Sequence, residues 1–195
     1  MVWLLVAVVA AVVVVVLSIV VMYNSLVRAR HNYQNAYAQI DVQLSRRHDL
    51  IPNLVEVAKA YMRHEQNTLA AVVNARTAAM QARQGVLPGD PRAMAAVAGA
   101  ENALTGSIGQ FFLVSENYPE LKASDNMRQL AEELTSAENR VAFARQAYND
   151  AVMLYRNKRD TFPSNVVSNM FSFGDAAYLE LDDPNKRAAP RIDLA

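Results

Sequence analysis

Residues 1–22 carry no charge, and eleven of them are valine. Ser18 is the only polar side chain in the run. As a helix rising about 1.5 Å per residue, it would be roughly 33 Å long, enough to cross a hydrocarbon core of about 30 Å. In lipid an unpaired backbone amide is too costly for a single segment to be anything but a helix, despite valine's modest helix propensity in water. A cleaved secretory signal fits poorly: no basic stretch precedes the run, it is longer than a usual apolar signal region, and no small-x-small site ends it. The reading is therefore an uncleaved anchor over 1–22, with Trp3 and Tyr23 at its two ends where amphipathic rings favour the interface. Arg28, Arg30, Arg46 and Arg47 follow it, which predicts the bulk of the protein on the cytoplasmic side and the N-terminus outside.

Everything charged lies beyond this run. The 19 basic and 19 acidic residues cancel, which argues against a nucleic-acid binder relying on bulk positive charge. Cysteine is absent, which excludes disulfides, thiolate metal sites and cysteine nucleophiles. With 6 glycines and 7 prolines in 195 residues, strands joined by tight turns are poorly supplied.

Apolar side chains instead recur at steps of three and four. Tyr33, Tyr37, Ile40, Leu44, Ile51, Leu54, Ala58, Tyr61, Leu69 and Val72 form a heptad-like, coiled-coil-type seam interrupted by Arg47 and Glu65. Pro52 lies inside it and should kink or end the helix near residue 51. Gly85 to Pro91 is the clearest breaker. A second run follows (Met94, Val97, Leu104, Ile108, Phe111), then a third (Met127, Leu130, Leu134, Val141, Ala144, Tyr148, Val152, Tyr155). If Pro52 is a turn, the helices are about 24–49, 53–84, 91–117 and 123–161, a four-helix up-down bundle. If it is a kink, one helix of roughly 60 residues faces two shorter ones. Both are all-α antiparallel bundles. The expected organisation is an anchor over 1–22, a bundle over 23–161 and an aromatic C-terminal segment over 162–195, extended or disordered from 182.

The residues offer little catalytic equipment. His64-Glu65 lacks the second histidine of a zinc protease helix, since Thr68 stands there, and no Glu-x-x-His precedes His31, His48 or His64. The histidines read as surface or capping residues. Gly106-Ser107-Ile108-Gly109 is not a nucleophile elbow, and there is neither a P-loop nor a dinucleotide fingerprint, so no cofactor is implied. Gly99, Gly106 and Gly109 read as places of close helix packing or bending. The densest polar stretch holds Gln39, Asp41, Gln43, Arg46, Arg47, Asp49, Asn53 and Glu56. Arg46, Asp49, Asn53 and Glu56 would share a helix face. That face is either solvated or part of an interhelical network opposite Glu133, Glu138, Asn139 and Arg145, suited to fixing register or meeting a partner. A metalloprotein or acid–base reading of the stripe is the weaker alternative, and a basic patch meeting anionic lipid is another. Phe162, Phe171, Phe173 and Tyr178 form the richest aromatic cluster, either core at the end of the bundle or a contact for a partner or the bilayer surface.

The order of short motifs is informative as a whole. From Tyr23-Asn24-Ser25-Leu26-Val27 onward the chain resembles the LemA family of bacterial membrane proteins. The strongest matches are Gln39-Ile40-Asp41-Val42-Gln43-Leu44, Arg46-Arg47 and Asp49-Leu50-Ile51-Pro52-Asn53-Leu54-Val55-Glu56. His64-Glu65 with Thr68-Leu69, Glu116-Asn117-Tyr118-Pro119, Glu138-Asn139-Arg140, Ala144-Arg145-Gln146-Ala147-Tyr148-Asn149 and Phe162-Pro163-Ser164-Asn165 continue it. The family usually has tryptophan where Tyr37 stands, an aromatic where Met127 stands, and Phe-Gly-Phe where Phe171-Ser172-Phe173 stands; these read as packing exchanges. The resemblance implies a single-pass protein of the bacterial inner membrane with a cytoplasmic four-helix bundle, its first break a turn near Pro52. It implies no enzymatic activity and no cofactor, and points to partners among membrane proteins, membrane proteases and their neighbours included. The seam and the small-residue faces also suit a homo-oligomer.

Overall fold

A computed structural model of the chain describes residues 1–181; the tail expected from 182 lies outside the described residues. The described residues form six helices: α1 (Val2–Lys59), α2 (Gln66–Ala82), α3 (Pro91–Ser115), α4 (Pro119–Ala123), α5 (Asp125–Asp160) and α6 (Ser164–Met170). The four long ones run up and down as an antiparallel all-α bundle.

The charge-free run does not end at a joint. It continues as the first bundle helix in a single 58-residue element, about 87 Å long. Its apolar side chains are exposed from Val2 to Leu17, whereas Ile19 and Met22 already pack against the bundle core.

The turn expected near Pro52 is not there. Helix α1 runs through the proline to Lys59, and the chain turns at 60–65, so residues 53–59 belong to the first helix rather than the second. Pro52 has no N–H for the carbonyl four residues earlier, that of His48. Arg76 on α2 supplies the missing donor: its Nε donates to the His48 carbonyl oxygen at 2.7 Å. The apolar phase is also unbroken across the proline, with Leu44, Ile51, Leu54 and Ala58 fully buried. At the real turn Met62 is buried in the lower core, and Tyr118 at the opposite joint donates to a Glu65 carboxylate oxygen at 3.1 Å.

Other boundaries follow local chemistry. Asp90 caps α3 by accepting from the Ala93 N–H at 2.7 Å, with Pro91 in the first turn. Gly89 must be glycine: its φ is +91°, and a Cβ there would lie 3.2 Å from both Tyr33 and Ala176. Helix α6 closes in a Schellman arrangement. The Phe173 N–H donates to Ser168 at 2.9 Å, the Ser172 N–H to Asn169 at 3.3 Å, and Ser172 takes φ +53°. The serine in place of the family's glycine is therefore a backbone exchange, not a packing one.

The bundle has two cores. The upper one, nearest the apolar end, joins Leu26, Tyr33, Tyr37, Ile40 and Leu44 of α1 to Met94 and Val97 of α3 and Val141, Tyr148, Val152 and Tyr155 of α5. The lower one joins Ile51, Leu54 and Ala58 to Leu69, Val72 and Ala79 of α2, Leu104 and Phe111 of α3, and Leu134 of α5. Helix α2 is too short to reach the upper core. An extended strap over 171–181 takes its place there, contributing Phe173, Ala176 and Leu179. Three side chains of α5 clamp the strap. Tyr148 donates to the Ala177 carbonyl at 2.8 Å, Arg145 to that of Leu181 at 2.8 Å, and Asn149 bonds both the N–H and the C=O of Leu179. This gives the Ala144–Asn149 motif a physical task. Burial pushes the phenols of Tyr33, Tyr148 and Tyr155 upward, and that of Tyr37, with Asp41 adding to the effect, up to about 12.

Candidate functional site

Between the two cores lies a layer of buried charge. Arg47 and His48 sit between Leu44 and Ile51, in phase with the α1 seam, and Glu101 occupies the same position between Val97 and Leu104 on α3. All three are at most 4% exposed. Arg47 lies 3.4 Å from one Glu101 carboxylate oxygen, donates to Thr105 Oγ1 at 2.8 Å and reaches the half-exposed Glu138 of α5 at 3.8 Å. The other Glu101 oxygen is 2.9 Å from His48 Nε2, out of line for a well-formed hydrogen bond. Among the described residues neither atom has another hydrogen-bond partner.

Arg83, just past the end of α2, completes the layer. Its guanidinium donates twice to the Asp41 carboxylate, at 2.6 and 2.9 Å, and once each to the Asp41 carbonyl and Ser45 Oγ at 2.8 Å. A further N–H faces His48 Nδ1 at 3.1 Å. Arginine can only donate, so Nδ1 accepts, which assigns the ring proton to Nε2, toward Glu101. Asp41, Arg83, His48, Glu101, Arg47 and Thr105 thus form one chain of polar contacts across α1, α3 and the end of α2, hydrogen-bonded except at the His48–Glu101 contact. Burying charge is tolerable only when paired and hydrogen-bonded in this way.

The polar stripe therefore divides. Asp41 and Arg47 enter the network, while Gln39, Arg46, Asp49, Asn53 and Glu56 are exposed. Among the described residues Glu56 pairs with its neighbour Lys59, at 3.3 Å. On α5, Glu138 does face the network, but Glu133 bonds Gln129, Asn139 is exposed and Arg145 holds the strap. Of the histidines, His31 and His64 lie on the surface; His48 is a buried correction to that expectation. Sequence reasoning missed His48, Arg76, Arg83, Glu101 and Thr105. The signal that finds most of them is a charged side chain in the apolar phase: 44-47-48-51 on α1, 97-101-104 on α3, and 69-72-76-79-83 along α2.

Arg47 also forms the floor of a cleft of about 500 Å³, lined among others by Thr105, Gly106, Gly109, Phe112 and Glu138. A Cβ added to Gly99, Gly106 or Gly109 would meet nothing within 4 Å, so these glycines do not serve close helix packing as expected; the last two line the cleft. Among the described residues no three His, Asp or Glu side chains gather as a metal site.

The aromatic cluster divides too. Phe173 is core, with Arg30 over its ring at 5.3 Å. Tyr178 is half-buried beneath Arg156, Phe171 packs edge-on to Tyr23 at 4.9 Å but stays half-exposed, and Phe162 is exposed. The expected basic patch is broken up. Arg47 is consumed inside the bundle, and Arg46 lies about 35 Å along α1 from the apolar segment. At the apolar end the fold instead brings the C-terminus of α5 to Arg28 and Arg30, with Lys158 donating to Ser25 at 3.1 Å.

These features define a class: an up-down helical bundle built on a helix long and apolar enough to cross a membrane, its halves joined by a buried ionic layer. Residues 36–194 match the sequence profile of the LemA family, and the chain belongs to that family. It is similar to the magnetosome proteins MamQ 1 and MamQ 2 of Paramagnetospirillum magneticum, each 24% identical over 194 residues, covering 91% of this chain and 71% of theirs. The magnetosome protein MamQ of Magnetospirillum gryphiswaldense is 22% identical over 178 residues, 83% of this chain and 65% of that one. The chain is a membrane-associated protein of the LemA family.

Proposed function

We propose that the protein is a non-enzymatic scaffold of the inner membrane, a single-pass anchor that holds a cytoplasmic helical bundle for protein partners. The observation that carries this reading is the unbroken α1. One helix is both the apolar segment and the spine of the bundle, so the bundle's far end stands rigidly some 55 Å from the membrane. The ionic layer supports the same reading, since its side chains are spent on one another rather than left to attack or activate a substrate. Exposed Leu113 on α3 and Phe143 on α5 offer apolar anchors to a partner helix. The magnetosome relatives support a role tied to a membrane compartment.

Photocrosslinking residues placed at Leu113 and Phe143 test this in native membranes. The expected result is one discrete adduct, abolished when the other of the two positions carries aspartate. Random or absent adducts, or a stoichiometric metal on the purified protein, would overturn it. Orientation is read by single-cysteine labelling at position 195: protection in intact spheroplasts is expected, and labelling there reverses the topology.

A further inference from the structure

The apolar segment of α1 fixes a height scale along the molecule. Val2 to Val21 span about 30 Å as a helix, so Tyr23 marks the edge of the hydrocarbon layer on the bundle side. The bundle does not stop short of that edge. Ile19 and Met22 pack against the core that includes Val167 and Phe173, and the Tyr23 ring meets Phe171 at 4.9 Å and Phe173 at 5.6 Å. Helix α6 and the residues flanking it are therefore level with the last turn of the span, inside the headgroup layer.

The surface at that level carries an apolar patch among polar side chains such as Asn169. Phe162, Val166 and Met170 recur every fourth residue and are 78%, 52% and 63% exposed, with half-exposed Phe171 beside them. In water such a patch is costly; at the acyl–headgroup boundary it is an anchor. Lys158, bonded to Ser25 at the top of the bundle, stands near it as a cation for anionic headgroups, while Arg159 is paired with Asp160 and Asp175. We propose that the α5–α6 corner, Phe162 with Val166, Met170 and Phe171, is a second membrane contact, seated in the surface of the same bilayer that α1 crosses. Two contacts, one through and one beside, fix the tilt and rotation of the bundle as a single span cannot.

The inference rests on reading α1 as the span, and the test separates the two. The chain has no cysteine, so nitroxide labels can be placed singly at Phe162→Cys, Met170→Cys, Val12→Cys and Phe143→Cys. Phe143 is 73% exposed about midway along α5, roughly 25 Å from Asp160, and serves as the aqueous control. The full chain is placed in phosphatidylcholine–phosphatidylglycerol nanodiscs, and relaxation by oxygen is compared with relaxation by an aqueous nickel chelate. Labels at 12, 162 and 170 should favour oxygen several-fold over the label at 143. If 162 and 170 behave like 143 while 12 favours oxygen, the corner is in water and the proposal fails with the anchor intact. If 12 is also aqueous, the anchor fails and the proposal with it. Dipolar broadening between labels at 162 in different molecules would assign the patch to a second copy and overturn the bilayer as its occupant.

Discussion

The hydrogen bond from Arg76 to the His48 carbonyl makes a sharp claim about Pro52. If that guanidinium replaces the N–H that proline lacks, Arg76→Met leaves the part-buried His48 carbonyl without its donor, beside the ionic layer. Leaving a buried acceptor unpaired costs about 1–3 kcal/mol. In the Pro52→Ala background the restored amide serves the same carbonyl, so Arg76→Met should cost markedly less, and the coupling between the sites should be about 1–2 kcal/mol. Pro52→Ala alone should stabilise, by up to about 3 kcal/mol, because interior proline also crowds the preceding turn. Thermal unfolding of the full chain in nanodiscs, followed by near-ultraviolet circular dichroism, reads the cycle. For a chain of this size about 2 kcal/mol corresponds to roughly 4–8 °C in Tm. Equal losses from Arg76→Met in both backgrounds would refute the reasoning: the arginine would then matter for its bulk or charge and not for the proline.

Other expectations follow from single contacts. Arg47→Met leaves Glu101 buried beside His48 alone and should cost about 3–5 kcal/mol, whereas Arg47→Met with Glu101→Leu should recover most of it, both read by denaturant unfolding. Ser172→Gly relieves the left-handed φ at the end of α6 and should raise stability by about 0.5–1 kcal/mol in the same assay; a loss would contradict the backbone account. Asn149→Ala removes both bonds to Leu179, so hydrogen exchange of residues 177–181 should accelerate while that of α5 holds. The phenol of Tyr37 is raised in the folded state, so its contribution to stability is complete below about pH 10, the ordinary tyrosine value, and is lost as the pH climbs through about 12. Tyr37→Phe should flatten the fall in Tm over that window.

Much of this architecture is legible in three-four spacing, because burial of an apolar stripe is what makes these helices pack. The seams on α3 and α5 fall where the pattern puts them, and Asp90-Pro91 and Phe162-Pro163 mark real ends. The first turn is illegible for a physical reason. Ala60 to Glu65 contain no glycine or proline, and the chain bends there because Met62 fills the lower core and Glu65 meets Tyr118, contacts made by tertiary structure alone. Pro52, a strong local breaker, is overridden by an arginine 24 positions away. The ionic layer lay half in view. Reading the polar residues of α1 as one face collects Arg46, Asp49, Asn53 and Glu56, which solvent takes; the buried pair are Arg47 and His48, which stand inside the apolar seam between Leu44 and Ile51.

The position of that layer bears on what the bundle can transmit. Apolar packing tolerates small slips of one helix past another, since one methyl group replaces another at little cost. A buried Arg47–Glu101–His48 cluster does not, because any axial slip between α1 and α3 leaves charges unpaired in a medium that solvates them poorly. Arg83 and Arg76 lock α2 to the same level of α1, so the register of three helices is set at one height. Below it α2 fills the core; above it the strap does, held by Arg145, Tyr148 and Asn149. The upper half, with the strap and the α5–α6 corner, can therefore rearrange at the membrane only by breaking clamps on α5. A partner bound across both halves would sense the membrane end through the strap, whereas one bound near Phe112 and Leu134 would meet a surface whose geometry the ionic layer fixes.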